Sequence, residues 1–172
     1  MSEQSFIRAG ERGFGLLVTP SISPLTETAQ LITTYREHFR PQTDSAIPQV
    51  YASLPIYVGA DQNEAEATGH RLLNHYLDIW AKSAASWSTR TSRDYRGYTG
   101  MVHAIRSMTP ERMWTVGGAI VGDVNQAVDR IGLIARTLGV DGFLWQVDFG
   151  GATRTTAQPS VERLIQSVIP QL

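Results

Sequence analysis

The sequence predicts an α/β fold on three observations. Phe14 to Thr19, Val50 to Val58 and Phe143 to Val147 are short apolar runs of strand length. Amphipathic stretches of helical period lie between them. Gly and Pro punctuation falls at the joints, at Gly13, Ser23-Pro24, Gly139 and Gly150-Gly151. Strands alternating with helices imply parallel βα units, because parallel neighbours need a crossover connection.

Taken in order, Ser2 to Arg12 reads as a short helix with Ser2 as its N-cap and Gly13 as its stop. The first strand follows. Ser23-Pro24 then opens a helix with a capping residue ahead of a first-turn Pro, and Leu31, Ile32, Tyr35 and Phe39 recur at helical spacing. Pro41 to Pro48 is a polar loop, and Pro55 interrupts the second strand because Pro donates no ladder hydrogen bond. Asp61 and Glu64 form a capping-box pattern ahead of a long helix with the apolar face Leu72, Leu73, Tyr76, Ile79 and Trp80. Trp87 to Val116 has no clean period. Gly122-Asp123 starts the next helix, striped by Val124, Val128, Ile131, Ile134 and Leu138 and stopped by Gly139. After the third strand, Pro159 to Val168 reads as the last helix, with Val161, Leu164, Ile165 and Val168 inward. Three such strands alone would leave an open edge and an uncovered inner face.

Composition bounds the function. The 172 residues are 42% hydrophobic and 18% charged, as in an ordered globular chain of one domain or part of one. Fifteen Lys and Arg against sixteen Asp and Glu leave a formal charge of -1, which gives no general attraction to nucleic acid or anionic membrane. No Cys is present, which excludes disulfides, a thiolate nucleophile and Cys-ligated metal. No apolar run approaches the roughly 18 residues of a membrane span. A cytoplasmic location is expected.

Several segments, in order, resemble the bacterial luciferase-like, flavin-dependent monooxygenases. They are Ser2, Ser5 and Ala9-Gly10-Glu11-Arg12-Gly13; Tyr57-Val58-Gly59-Ala60-Asp61 through Glu64-Ala65; Ile120-Val121-Gly122-Asp123; and Gly139 to Leu172, with its double glycine and Val168-Ile169-Pro170 ending. The resemblance implies a TIM-type (β/α) barrel. Such a barrel needs roughly 250 residues, so residues 1–172 are expected to be its C-terminal part: about the last three βα units plus the preceding helix and a helical insertion. Residues 87–116 stand where the family carries an insertion or lid over the active site.

The resemblance further implies reduced flavin (FMN) and dioxygen acting together to oxidise an organic substrate, with Ser2 and Ser5 holding the flavin phosphate. The start of a helix suits that role, since its free N–H groups and dipole already favour an anion. Simple helix capping by Ser2 is the competing role. A deazaflavin-dependent hydride-transfer enzyme is an alternative in the same superfamily. From a different class, the chain is a non-catalytic product or structural subunit that needs a complementary N-terminal half-barrel or a copy of itself, because it contains no convincing acid-base constellation.

Gln146 and Asp148 share one face of the last strand with Leu144, at the strand end where barrels place functional groups. They are candidate pocket residues, with loop capping as the competing role for Asp148. His38, His70, His75 and His103 have no metal-ligand spacing, and surface or packing roles are expected. Arg90, Arg93 and Arg96 among Trp87, Tyr95 and Tyr98 would suit a single-stranded nucleic acid, but the neutral chain argues for a lid or subunit surface instead.

Overall fold

The computed structural model describes residues 2–21, 23–85 and 103–172. Helix α1 (Glu3–Glu11) leads to strand β1 (Leu16–Val18), helix α2 (Leu25–Glu37) and the long strand β2 (Val50–Val58). A helical turn at Gln62–Glu64 and a π-turn at Ala65–Gly69 open α3 (His70–Ala85). Then come α4 (Pro110–Val116), β3 (Ile120–Gly122), α5 (Val124–Leu138), β4 (Gly142–Gln146) and α6 (Arg154–Arg163), which runs on through a π-turn at Leu164–Val168. The expected trio of strands is present, and the α/β class with a parallel sheet holds.

β2 is the centre of the sheet and pairs in parallel with each of the other three strands. β1 pairs with its start, Leu16 opposite Val50 and Val18 opposite Ala52, and β3 with its end, Ile120 opposite Ile56. The Leu16 N–H bonds the Gln49 carbonyl and the Gly59 N–H bonds the Gly122 carbonyl, so odd-numbered residues of β2 turn their backbone to β1 and β3. Val50 turns the other way, to Asp141 at the head of β4. This arrangement explains Pro55. Its missing N–H falls on the first edge, between the pairing of β1, which ends at Ala52, and that of β3, which begins at Ile56. No ladder bond is lost there, so β2 runs unbroken.

Side chains alternate along β2 and build two cores. Val50, Ala52, Leu54, Ile56 and Val58 are essentially fully buried against Ile32 and Tyr35 of α2, Ile131, Ile134 and Leu138 of α5, and Leu164 and Val168. On the other face Tyr57 packs with Leu72, Leu73 and Leu77 of α3, Met113 of α4 and Phe149. That second core covers only the carboxyl end of the sheet. Nearer the strand starts the same face carries Leu17, 58% exposed, and Leu144, 49% exposed. The uncovered inner face expected from the sequence is therefore half covered, by the segment after β2.

Several local expectations are corrected. Pro24, not Ser23, occupies the N-cap of α2. The last helix starts at Arg154, capped by the Thr153 hydroxyl, and carries Pro159 inside it. Ile165 is 57% exposed, because the π-turn puts Leu164 and Val168 at the core positions. Ile79 is 45% exposed, since the buried stripe of α3 runs through Leu73, Leu77 and Ala84. The sequence reading missed β3, a strand of three residues too short for a period to register. Of the 87–116 segment, residues 87–102 lie outside the described residues, including the Arg90, Arg93 and Arg96 group; 110–116 is helical.

Candidate functional site

Strand ends β1, β2 and β4 point the same way, so the loops after them and the insertion after β2 share one end of the molecule. Gln146 stands on β4 beside β2. Its Nε2 donates to the Ser53 hydroxyl at 3.0 Å and its Oε1 accepts from the Tyr76 phenol at 3.2 Å. A chain of polar groups thus runs from the sheet to α3. Burial pushes the Tyr76 phenol above its ordinary pKa, and its ring lies 5.1 Å from Trp80 and 6.1 Å, edge-on, from Phe149. The sequence grouped Gln146 with Leu144 on one strand face, and that face is the one that meets α3; Ser53 and Tyr76, its partners, went unrecognised because strand pairing and helix docking are needed to bring them there.

Asp148 follows β4 at the head of the 3-10 turn Phe149–Gly151, where its exposed carboxylate makes no cap bond. Loop capping is therefore not its role. Gly150 and Gly151 both have positive φ, 61° and 71°, which Gly adopts without strain. A Cβ on Gly150 would lie 2.0 Å from the Leu72 carbonyl oxygen, so the glycine is what lets α3 approach. His75 completes the contact, its Nδ1 3.0 Å from the Gly150 carbonyl.

Ser2 holds the N-cap position of α1 in an extended conformation, φ -109° and ψ 137°, but makes no side-chain cap bond. Its hydroxyl instead lies 2.8 Å from that of Ser5, and both residues are exposed. The two hydroxyls are brought together, and neither is committed to a backbone N–H. Among the described residues no hydrogen bond joins this pair to Gln146 or Asp148.

A knot at the end of β2 was only partly legible. Asp61 Oδ1 accepts from the Glu64 N–H at 2.9 Å, as the capping pattern predicted. Glu64, however, returns to the Ala60 N–H at 2.7 Å and accepts the Tyr57 phenol, while Arg163 stands 3.7 Å away. Burial first, and then the Glu64 carboxylate, push the Tyr57 phenol up to about 12. Arg163 Nη1 also donates to the Val58 carbonyl at 3.0 Å, and buried Ser160 accepts the Val58 N–H at 2.8 Å. These bonds tie α6 to the end of β2. The signal missed was a Ser and an Arg three apart on one helix face.

Two of the other three histidines have partners. His38 Nδ1 meets the Thr34 carbonyl at 2.8 Å, and His70 lies 3.8 Å from Glu111. His103 is exposed. Among the described residues no three His, Asp or Glu side chains are grouped to hold a metal ion, and no helix is long and apolar enough to cross a membrane.

The family model of luciferase-like monooxygenases matches residues 1–142. The chain belongs to that family. Like this luciferase-like chain, monooxygenase RslO1 from Streptomyces bottropensis has the fold, with TM-score 0.64 and 20% identity over 98% of this chain and 45% of its own. The oxygenating constituent of 3,6-diketocamphane monooxygenase from Pseudomonas putida, solved with FMN, gives TM-score 0.60 and 15% identity over 98% of this chain and 45% of its own. A coenzyme F420 dependent tetrahydromethanopterin reductase from Methanopyrus kandleri gives 0.55 and 17% over 98% and 48%. At these identities the likeness is one of fold. The luciferase-like chain spans less than half the length of each of these structures, and its last βα unit, beyond the family match, is included in the structural match. No curated protein matches.

Proposed function

We propose that this luciferase-like chain forms the C-terminal portion of a flavin-dependent monooxygenase, about the last three βα units of a TIM-type barrel with the 87–116 segment as its lid. Family membership supports the chemistry, in which bound reduced flavin and dioxygen oxidise an organic substrate. The observation that carries the reading to particular residues is the serine pair. Ser2 and Ser5 put two exposed hydroxyls, bonded to each other, at the start of α1, where free N–H groups and the helix dipole favour a phosphate. They fit the FMN phosphate. Glu3 in the same turn is exposed, and its carboxylate can face solvent.

The chain's other residues would orient and enclose. Gln146, held by Ser53 and Tyr76, presents a fixed amide on the inner face for a flavin ring or substrate. Asp148, exposed two residues further on, is the further pocket candidate. Leu17 and Leu144 leave that face apolar and open, which supports a complementary N-terminal half-barrel, or a second copy of the chain, as partner. The non-catalytic subunit reading keeps the same partner and drops the chemistry. The fold shared with an F420-dependent reductase supports deazaflavin as the alternative cofactor.

The test supplies the complementary half by co-expression or by fusion ahead of Met1. Ser2→Ala with Ser5→Ala removes two hydrogen bonds to a charged group, each worth roughly 1.5 to 3 kcal/mol. FMN affinity is then expected to fall at least about tenfold, with riboflavin affinity nearly unchanged. Equal losses for both ligands would return the serines to helix capping. The chain alone is expected to quench flavin fluorescence little. Oxygen uptake with reduced FMN separates monooxygenase from deazaflavin reductase, and inactivity of the completed barrel with both cofactors would leave the subunit reading.

A further inference from the structure

We propose that the crevice between the end of β2, the head of α3 and the outer face of α6 is a second anion site, taking a phosphate or phosphomonoester group. It is an open crevice of about 340 Å³, lined by Thr68, Arg71, Thr155, Thr156 and Arg163 around Tyr57 and Glu64. Thr68 and Arg71 are three apart on one helical stretch, and Thr155, Pro159 and Arg163 four apart on the other, so one face brings a hydroxyl and an arginine, and the other an arginine with the Thr155 and Thr156 hydroxyls, both beside that of Thr153, to the same space.

The charges decide the ligand class. Two guanidiniums face one carboxylate, and that carboxylate is already engaged by the Ala60 N–H, the Tyr57 phenol and Arg163. Arg163 is held in place by the Val58 carbonyl at 3.0 Å through one of its five N–H donors. Arg71 is exposed and makes no hydrogen bond or ion pair with a described residue. A planar, prearranged guanidinium beside a second, free one suits tetrahedral oxyanions, which accept paired N–H bonds, better than chloride. The surplus positive charge excludes an ammonium ligand. This site shares no residue with the Ser2–Ser5 pair and does not depend on the flavin reading.

Binding of inorganic phosphate to the chain, at low and constant ionic strength, is read by calorimetry and by amide shifts in NMR, with ribose 5-phosphate as the phosphomonoester probe. Shifts are expected at Thr155, Thr156 and Arg71. Arg71→Gln and Thr155→Val touch exposed side chains outside the Glu64 knot, and each is expected to weaken phosphate at least about fivefold, as loss of a bond to a charged group implies. Ser2→Ala with Ser5→Ala should leave these shifts intact. A tighter affinity for ribose 5-phosphate than for phosphate would mark a small-molecule ester as the ligand, and equal affinities would mark free phosphate. The proposal falls if phosphate fails to bind, if the two variants bind it as the unaltered chain does, or if chloride competes on equal terms.

Discussion

The two faces of β2 differ in completeness. Toward α2 and α5, every even-numbered residue from Val50 to Val58 is sealed by helices that the chain itself supplies. Toward the inner side, among the described residues, Tyr57 and its surroundings are sealed by α3, α4 and Phe149, while Leu17 and Leu144 are exposed. The helix-side core can therefore hold the sheet together without help. The inner face takes its cover from a long excursion of the chain, at the end where strand-end residues gather, and the strand starts stay exposed.

The sharpest way to break this contrast is Leu54→Ala set against Leu144→Ala. Leu54 is fully buried on the helix side, so its truncation should cost about 2 to 5 kcal/mol in urea unfolding. Leu144→Ala should change stability by no more than about 0.5 kcal/mol and should reduce self-association and binding of a hydrophobic dye. Comparable costs would mean that the inner face is as closed as the outer one.

A smaller effect tests how the cover is fastened. Gly150→Ala forces a Cβ against the Leu72 carbonyl at a positive φ, and should lose about 2 to 3 kcal/mol as α3 is pushed away. Gly151→Ala keeps the φ problem but meets only the His75 ring at 3.1 Å, so about 1 kcal/mol is expected. Tyr76→Phe removes the hydrogen bond from α3 to Gln146 and should cost about 0.5 to 1.5 kcal/mol in the same assay. If neither Gly150→Ala nor Tyr76→Phe altered the protection of α3 amides in hydrogen exchange, the cover would be fastened elsewhere.

The last effect is absent at neutral pH. Tyr57 titrates near 12 in the folded chain against 10.0 for the free phenol, so the folded state resists its ionisation. Its stabilising contribution is complete below pH 10 and is lost as pH rises from there toward 12. Alkaline unfolding of Tyr57→Phe should show a shallower loss across that window than the unaltered chain. Tyr35 and Tyr76, also raised by burial, remain in both proteins and serve as the background.

How much was legible follows from the range of each interaction. Helix α5 was readable end to end, because Asp123 caps its start, Gly139 at φ 61° ends it, and Ile131, Ile134 and Leu138 keep one face; the return bond from Gln126 was added by the structure. One helical turn also brings the Ser2 and Ser5 hydroxyls together, but it was the family resemblance, not their spacing, that singled them out. Gln146 was placed on its face by strand alternation, but its partners were not, since Ser53 and Tyr76 lie 93 and 70 residues away in the chain. The Arg163 to Glu64 contact was invisible in the same way, as was the pairing of β3 with β2 beyond the end of β1.

Local interactions thus determined most of this protein's helices, the three strands read from apolar runs, the α/β class and the caps at Asp61 and Asp123, because period, capping and left-handed glycine conformations act within about one turn. Packing between distant segments decided what the sequence could not show. It admitted Pro55 to the central strand through a gap between two partners, turned Gly150 into the seat of α3, and closed one end of the inner face while leaving the other open. Each of these depends on which backbone edge or carbonyl stands opposite, and that is settled only when the strands and helices are assembled.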